Sequence, residues 1–241
     1  MKFSYSEYKA ILEAFQGKWT FFFDVTDKPF VLMRHDVEFS VDRAYLLGQI
    51  EAENSVKSTF NFQVSCETYN IVSIENRRKV RALKDLGHHI GLHFYANHLD
   101  RESLDELIIN LDKQKQILEN AIDIDISTFS FHRPKEWMLK VRDDQIGGML
   151  NQYGKSFFEF SKQPQNIKYV ADSRHAWDYG NPLDFTDRDR LQILTHPDEW
   201  SLNGFNEEDN FRALKSELTK NISEAFLAES PRNFLKYKGK I

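Results

Sequence analysis

The stretch "VLMRHDVEFS", residues 31–40, decides the fold prediction, because an apolar run ends here in four ionisable side chains. The apolar letters predict a buried strand, and its end carries Arg34, His35, Asp36 and Glu38. Side chains two apart share a strand face, so Arg34, Asp36 and Glu38 are predicted to point one way and His35 the other. Charged groups are costly to bury alone. This strand end therefore predicts an ion pair from Arg34 to a carboxylate, a bound cation, or both.

Four further apolar runs end in the same way. The run "HIGLH" ends at His93, "TFSFH" at His132 with Arg133 next, "YVADS" reaches Asp172 and "LQILTH" reaches His196. Helical segments separate most of these runs, and strands that alternate with helices predict a parallel sheet with right-handed crossovers. Six or seven such units in one domain favour a closed barrel over an open sheet. The predicted class is α/β, with the ionisable residues on the carboxyl face, where barrel enzymes build their active sites.

The helical pattern is consistent with one domain. Helices are predicted at about residues 5–16, 41–54, 73–86, 101–121, 142–152 and 207–226, with Ser40 and Asp100 as N-caps. No Pro/Gly-rich linker and no low-complexity tract divides the sequence, so residues 1–241 are predicted to form a single domain.

Composition excludes several classes of protein. Hydrophobic residues make up 41% and charged residues 29% of the 241 positions, which is typical of a globular protein. The net charge of −5, without a long Lys/Arg stripe, argues against nucleic-acid binding and membrane insertion. The single Cys66 has no disulfide partner, and the first residues lack an apolar signal segment. We therefore expect a cytoplasmic protein; nothing in the sequence predicts its oligomeric state.

The histidines of "GHHIGLHFYANH" differ in what they can bind. His89 and His93 share a strand face but lie about 13 Å apart at ~3.3 Å per residue, too far to hold one ion. His93 at the strand end is the better ligand, and His88 is predicted to be a core or bottom-face residue. His98 can join a site with His93 only through the loop that leaves the strand.

Five segments in this order, "HDVE", "GHHIGLH", "HRP", "ADSRHAW" and "LTHP", resemble the motifs of the polysaccharide deacetylase superfamily, carbohydrate esterase family 4 (CE4). The closest resemblance is to the branch whose first motif reads Arg-His-Asp-Val-Asp, and it covers roughly residues 28–200. The resemblance implies a distorted (β/α)7 barrel with a divalent metal, often zinc, at the carboxyl face.

The resemblance also implies catalytic roles by position. Asp36 corresponds to the general base and Arg133 to the arginine that orients it. His196 corresponds to the general acid, and Asp172 of the fourth motif is a charge partner that keeps it protonated. Trp177 of the same motif and Trp200 are candidates for stacking on a sugar face, with core packing as the alternative for each.

The implied metal ligands are Glu38, His93 and His98, and two departures from the family pattern bear on them. The metal carboxylate usually follows the base directly, whereas Val37 intervenes here and the second acid is Glu. Asp36 is therefore an alternative ligand to Glu38, in which case the base role passes to Glu38 or is lost. The spacing from His93 to His98 is also irregular for the two metal histidines.

The resemblance implies a metal-dependent hydrolase that removes an N-acyl group, with acetyl as the leading candidate, from a sugar or sugar conjugate. A cytoplasmic location favours a nucleotide- or lipid-linked sugar of surface-polysaccharide metabolism over a cell-wall polymer. Two alternatives remain. One is a hydrolase of non-sugar amides, and the other is a catalytically inactive barrel that binds a carbohydrate or a partner protein.

Overall fold

Strands and helices alternate along most of the computed structural model, which describes residues 2–96, 99, 101–159 and 166–229. The strands are β1 (Trp19–Thr20), β2 (Phe30–Val37), β3 (Thr59–Phe62), β4 (His89–Tyr95), β5 (Thr128–His132), β6 (Gln145–Ile146), β7 (Met149–Asn151), β8 (Lys168–Ala171) and β9 (Arg190–Thr195). The helices are α1 (Tyr5–Ala14), α2 (Val41–Glu53), α3 (Ile74–Asp85), α4 (Leu104–Ile122), α5 (Glu136–Lys140) and α6 (Glu207–Glu229).

One curled sheet holds all of these strands. Its parallel part runs in the order β7-β5-β4-β3-β2-β9-β8, and β6 adds antiparallel to β7 while the short β1 pairs with β2. Strands β6 and β8 end the path, so within the described residues the sheet is a half-barrel rather than a closed ring. The predicted α/β class with a distorted barrel is confirmed, but among the described residues the sheet does not close into the ring that the number of strand–helix units favoured.

Alternation along the strands separates a polar barrel interior from an apolar outer layer. On β5, Phe129 and Phe131 belong to the same buried cluster as Leu107 and Leu111 of α4. The side chain of Ser130, which lies between them, faces the other way and donates to Asp36 of β2. Parallel strands are covered by helices on the outside. Polar side chains are therefore directed into the barrel, where the strand ends converge.

The helices begin at side-chain caps. Ser40 accepts a hydrogen bond from the backbone of Arg43 and caps α2, as predicted. Helix α4 begins after Ser103, which accepts from a first-turn amide; the predicted cap Asp100 lies outside the described residues. None of the described helices has the length and apolar content needed to cross a lipid bilayer.

The helix predicted at 142–152 is wrong, because this segment forms the β6–β7 hairpin. Gly147 and Gly148 connect the two strands with φ values of 58° and 76°. Positive φ at two consecutive residues is the conformation of a tight hairpin turn, which two glycines adopt without a steric penalty. The polar composition favoured a helix, but the Gly-Gly pair decides the structure.

A buried network lies behind β2, on the face away from Asp36. Glu51 of α2 accepts hydrogen bonds from Tyr8 of α1 and from Ser58, both at 2.6 Å, and lies 3.0 Å from Nε2 of His35. His88 lies against the same network, with Nε2 2.9 Å from the Gly48 carbonyl, so it is a core residue. The network satisfies its polar groups and joins α1 and α2 to the sheet.

His89 lies at the opposite end of β4 from His93, packed against aromatic rings. Its ring centroid is 5.1 Å from that of Phe23 and 6.3 Å from that of Phe21. Burial, and to a smaller degree the charge of Lys84, lowers the pKa of His89 to about 4. The folded state therefore holds this imidazole neutral.

This shift predicts an acid-sensitive stability. A histidine in the unfolded chain titrates near pH 6.5. As the pH falls from about 6.5 to about 4, His89 therefore binds a proton in the unfolded state but not in the folded state. The stabilisation is present above pH 6.5 and its loss on acidification amounts to about 3 kcal/mol. We expect His89→Phe, which keeps the ring packing, to flatten the fall in unfolding free energy between pH 7 and pH 4.5, measured by urea titration. Equal falls in both proteins would contradict the assignment.

Candidate metal centre

The inward face of β2 places Arg34 and Asp36 in contact. Nη2 of Arg34 lies 3.3 Å from Oδ2 of Asp36 and donates to the Tyr153 hydroxyl at 2.7 Å. Arg34 is completely buried, and its guanidinium lies 4.4 Å from the centre of the Tyr153 ring. The ion pair predicted as one explanation of this strand end is therefore present, and it lies inside the barrel.

Asp36 is held from several directions inside the barrel. Its Oδ1 accepts hydrogen bonds from Ser130 at 2.7 Å and from the side-chain amide of Asn61 at 2.9 Å, and only 2% of the residue is exposed. Burial alone would raise the pKa of Asp36, but Arg34 and, after it, His93 outweigh burial and lower the pKa below its usual value. Asp36 is therefore a buried, ionised carboxylate.

Three side chains form a compact triangle above Asp36. Oε1 of Glu38 lies 3.4 Å from Nε2 of His93 and 2.7 Å from Nδ1 of His132, and the two imidazole nitrogens are 3.2 Å apart. Tetrahedral zinc with ligand bonds near 2.0–2.1 Å separates its ligand atoms by about 3.3 Å. Two of the three edges match this value without any movement, and the third is shorter.

A relay of hydrogen bonds fixes the orientation of His93. Nδ1 of His93 lies 2.8 Å from Oγ of Ser130, which lies 2.7 Å from Asp36. The ionised carboxylate of Asp36 only accepts, so Ser130 donates its hydrogen to Asp36 and accepts the Nδ1 hydrogen of His93. The lone pair of His93 Nε2 is thereby directed into the triangle. Such support behind a histidine is the usual outer shell of a metal ligand.

The chemistry of the triangle fits a divalent ion. One carboxylate and two imidazoles are a donor set that zinc takes in catalytic sites, where a fourth position stays open. Burial would raise the pKa of Glu38, but the hydrogen bond from His132 and the positive charge of His196 oppose burial and hold this pKa far below its usual value. Glu38 is therefore ionised, as a ligand must be. Among the described residues, Glu38, His93 and His132 are the group that could hold a metal ion.

His196 and Asp172 form a second unit at the edge of the triangle. Nδ1 of His196 lies 2.7 Å from Oδ1 of Asp172, and Nε2 of His196 is 4.0 Å from Oε1 of Glu38. Asp172 is fully buried and also accepts from the Trp200 indole at 2.7 Å. Burial would lower the pKa of His196, but the hydrogen bond and charge of Asp172 outweigh burial and raise it to about 10. His196 therefore carries a proton at neutral pH.

Five of the predicted site residues meet in this region: Asp36, Glu38, His93, Asp172 and His196. Of the two candidate metal carboxylates, Glu38 lies in the triangle and Asp36 beneath it. His98 lies outside the described residues.

Arg133 requires a correction. Its side chain is exposed directly after β5, and no hydrogen bond or ion pair joins it to Asp36 in the described part of the chain. The arginine that contacts Asp36 is Arg34, two residues earlier on the same strand. A residue two positions away on a strand points to the same side, so the strand itself supplies the partner of the carboxylate.

Trp200 packs in the core, and Trp177 lies partly buried at the margin of the same cluster. Trp200 is completely buried, with ring centroids 4.8 Å from Tyr8 and 5.1 Å from Phe3. Trp177 is partly buried against the same cluster, 6.3 Å from Trp200. Stacking of Trp200 on a sugar is therefore corrected to core packing, and its indole N–H supports Asp172.

His132 is the site residue that sequence reasoning missed. The run Thr128-Phe129-Ser130-Phe131-His132 contains the signal, because polar and aromatic letters alternate with the period of a strand. Ser130 and His132 therefore share the inward face. The family motif assigns a role to the next residue, Arg133, and none to His132.

No protein-family model matches the chain, and the search of curated proteins finds no match. Solved structures do match. A CE4 family pseudoenzyme from Bacillus anthracis is 16% identical with a TM-score of 0.46, and the match covers 81% of this chain and 62% of that one. The catalytic domain of a peptidoglycan N-acetylglucosamine deacetylase from Eubacterium rectale is 14% identical with a TM-score of 0.47, covering 80% and 87%.

A family 4 carbohydrate esterase from Streptomyces lividans, solved in complex with acetate, is 15% identical with a TM-score of 0.44, covering 70% of this chain and 79% of that one. The chain thus spans less than two thirds of the Bacillus anthracis protein and most of the other two. With identities of 14–16% and TM-scores of 0.44–0.47, these similarities assign no chemistry to the chain.

Proposed function

We propose that the protein is a metal-dependent hydrolase that removes an N-acyl group, with acetyl as the leading candidate, from a sugar or sugar conjugate. The observation that carries the proposal is the Glu38–His93–His132 triangle with the protonated His196 4.0 Å from Glu38. Zinc is the proposed metal, because the triangle offers one carboxylate and two imidazoles.

A divalent ion in the triangle would supply an acidified water and polarise the acyl carbonyl. The protein residues supply the rest of the chemistry. His196 donates the proton on Nε2 to the amine nitrogen as the C–N bond breaks, because an amine leaves poorly without protonation. Asp172 holds Nδ1 of His196 and keeps the imidazole charged until that step. The water would lose its first proton to solvent, and its second proton, released by the product acid, would restore His196.

Asp36 is proposed as a positioning carboxylate in place of the base role that the family resemblance implies. A base must contact the water that it deprotonates, whereas Asp36 is 2% exposed and engaged by Ser130, Asn61 and Arg34. Through Ser130 it fixes the tautomer of His93, and its charge offsets Arg34 inside the barrel.

The substrate class is supported by the five sequence segments that resemble CE4 motifs. They favour N-acylated carbohydrate, and the expected cytoplasmic location favours a nucleotide- or lipid-linked sugar intermediate of surface-polysaccharide metabolism. Linear or cyclic non-sugar amides are the alternative substrates for the same triangle, since metal-assisted amide hydrolysis does not itself require a sugar.

The burial of Asp36 favours a second candidate function, a barrel that binds a metal and an acylated carbohydrate without turnover. A site that lacks an accessible base beside its metal retains binding chemistry and loses much of its rate, because a positioned general base contributes about 10²- to 10⁴-fold. The two functions share the metal and differ in catalysis, so they separate experimentally.

The triangle predicts stoichiometric metal binding. The purified protein is expected to take up one equivalent of Zn²⁺ or Co²⁺. Because each ligand is one of three, Glu38→Gln, His93→Ala and His132→Ala should each weaken the affinity by at least about 100-fold. Isothermal titration calorimetry and elemental analysis provide the measurement.

Two further histidine variants serve as controls for the metal experiment. His88→Asn alters a buried histidine of the outer layer and should leave the zinc affinity unchanged. His98→Ala tests the family-derived ligand directly. If His98→Ala abolishes uptake and His132→Ala does not, the triangle is the wrong centre.

Catalysis is tested by acetate release. The zinc-loaded protein should release acetate from a panel of N-acetylated sugars, including nucleotide-linked ones. His196→Asn, which removes the acid and leaves the triangle intact, should lower kcat by about 10²- to 10⁴-fold with zinc still bound. Arg133→Ala, an exposed side chain, should retain activity. Zinc uptake without release of any acyl group from sugars or amides would favour the binding-only barrel.

A further inference from the structure

Glu38 lies one residue beyond β2, where the sheet no longer holds the backbone. The last β2–β3 pair joins Val37 to Phe62. The carbonyl of Glu38 is instead approached by two side chains of the loop that follows β3. Sγ of Cys66 lies 3.2 Å from this carbonyl oxygen and Oγ1 of Thr68 lies 3.3 Å from it. The backbone of a proposed ligand is thus held by a loop.

Tyr69 of the same loop contacts the residue before Glu38, which is Val37, the last residue of β2. Its hydroxyl donates to the Val37 carbonyl at 3.0 Å and accepts from the backbone N–H of Gln63 at 2.9 Å. The hydroxyl therefore bridges the end of β2 to the loop that begins after β3. Together Cys66, Thr68 and Tyr69 hold the consecutive carbonyls of Val37 and Glu38, where the chain leaves the sheet.

We propose that Cys66, Thr68 and Tyr69 are positioning residues that set the metal affinity by fixing the backbone of Glu38. The inference rests on the proposed metal centre. The Glu38 side chain reaches the triangle from its backbone through several rotatable bonds, so a shift of the unsupported backbone moves Oε1 away from His93 and His132. Outer-shell partners of this kind typically contribute about 10- to 100-fold in metal affinity.

The two donors to Glu38 predict a distinctive pattern of variants. The Cys66 thiol and the Thr68 hydroxyl each carry one hydrogen and approach the same oxygen, so either one satisfies it when the other is removed. Cys66→Ala and Thr68→Val alone are expected to weaken zinc binding by less than about threefold, and the double variant by about tenfold or more. In the described part of the chain no other side chain donates to the Val37 carbonyl, so Tyr69→Phe should weaken binding by about tenfold.

The measurement is zinc affinity by competition with a chromophoric chelator, together with the visible absorption of the Co²⁺-loaded protein. A distorted Glu38 is expected to change the Co²⁺ spectrum as well as the affinity. Thr68→Ser in the Cys66→Ala background keeps a hydroxyl and should restore binding to the single-variant value. Thermal unfolding of the metal-free variants reports whether each one is folded.

Tyr8→Phe is the matched control. It also removes a tyrosine hydroxyl that is hydrogen-bonded in the interior, here 2.6 Å from Glu51, but on the far side of β2. It should lower the unfolding temperature and leave zinc affinity within about twofold of the original protein. If Tyr69→Phe and the double variant bind zinc normally, or if Tyr8→Phe weakens binding as much as they do, the inference fails.

The inference and the proposed function fail in different ways. Zinc uptake without hydrolysis overturns the proposed function, and the affinity pattern of the variants still decides the inference. Hydrolysis with unchanged affinity in the variants overturns the inference alone. A protein that takes up no zinc overturns both.

Discussion

The constraint on which the site depends is the buried charge of Asp36. A carboxylate that is 2% exposed is stable only because Arg34, Ser130 and Asn61 surround it, and each of these comes from the inward face of a strand. The ionised Asp36 accepts the hydroxyl hydrogen of Ser130, so the Ser130 oxygen accepts the Nδ1 hydrogen of His93 and fixes the tautomer of that histidine. The direction of the lone pair on Nε2 of His93 therefore follows from the Arg34–Asp36 ion pair inside the barrel.

The remaining site residues follow from strand geometry. Parallel strands end on one edge of the sheet, so Glu38, His93 and His132, more than 90 positions apart between the first and the last, arrive within hydrogen-bond distance of one another. A second set of hydrogen bonds lies beside the triangle of Glu38, His93 and His132. Asp172, hydrogen-bonded to the core residue Trp200, holds His196 charged at the rim. The arrangement pairs three side chains that could hold a cation with a proton donor, and both contribute to the proposed hydrolysis of an amide.

The sequence predicted the barrel class and most strand ends, because period-two alternation and strand–helix succession are local signals. It also predicted the division of β2 into two faces, with Arg34 and Asp36 together and His35 opposite. It could not rank the partners of Asp36. Arg34 and Arg133 are both arginines at strand ends, so the sequence offers either one as the partner of Asp36. The tertiary structure decides between them, because Arg133 is exposed and Arg34 contacts Asp36. The burial of Trp200 and the place of His132 in the triangle also follow from tertiary packing. The 142–152 segment was predicted as a helix, whereas its Gly-Gly pair forms a hairpin turn.

A crystal structure of the zinc-loaded protein, with anomalous scattering measured at the zinc edge, tests the proposed metal centre most directly. We expect one anomalous peak bonded to Oε1 of Glu38, Nε2 of His93 and Nδ1 of His132, with Asp36 beneath it and His196 at its rim. A peak bonded to Asp36 or His98 in place of Glu38 or His132, or the absence of any peak at this end of the barrel, would show that the metal centre is assigned wrongly.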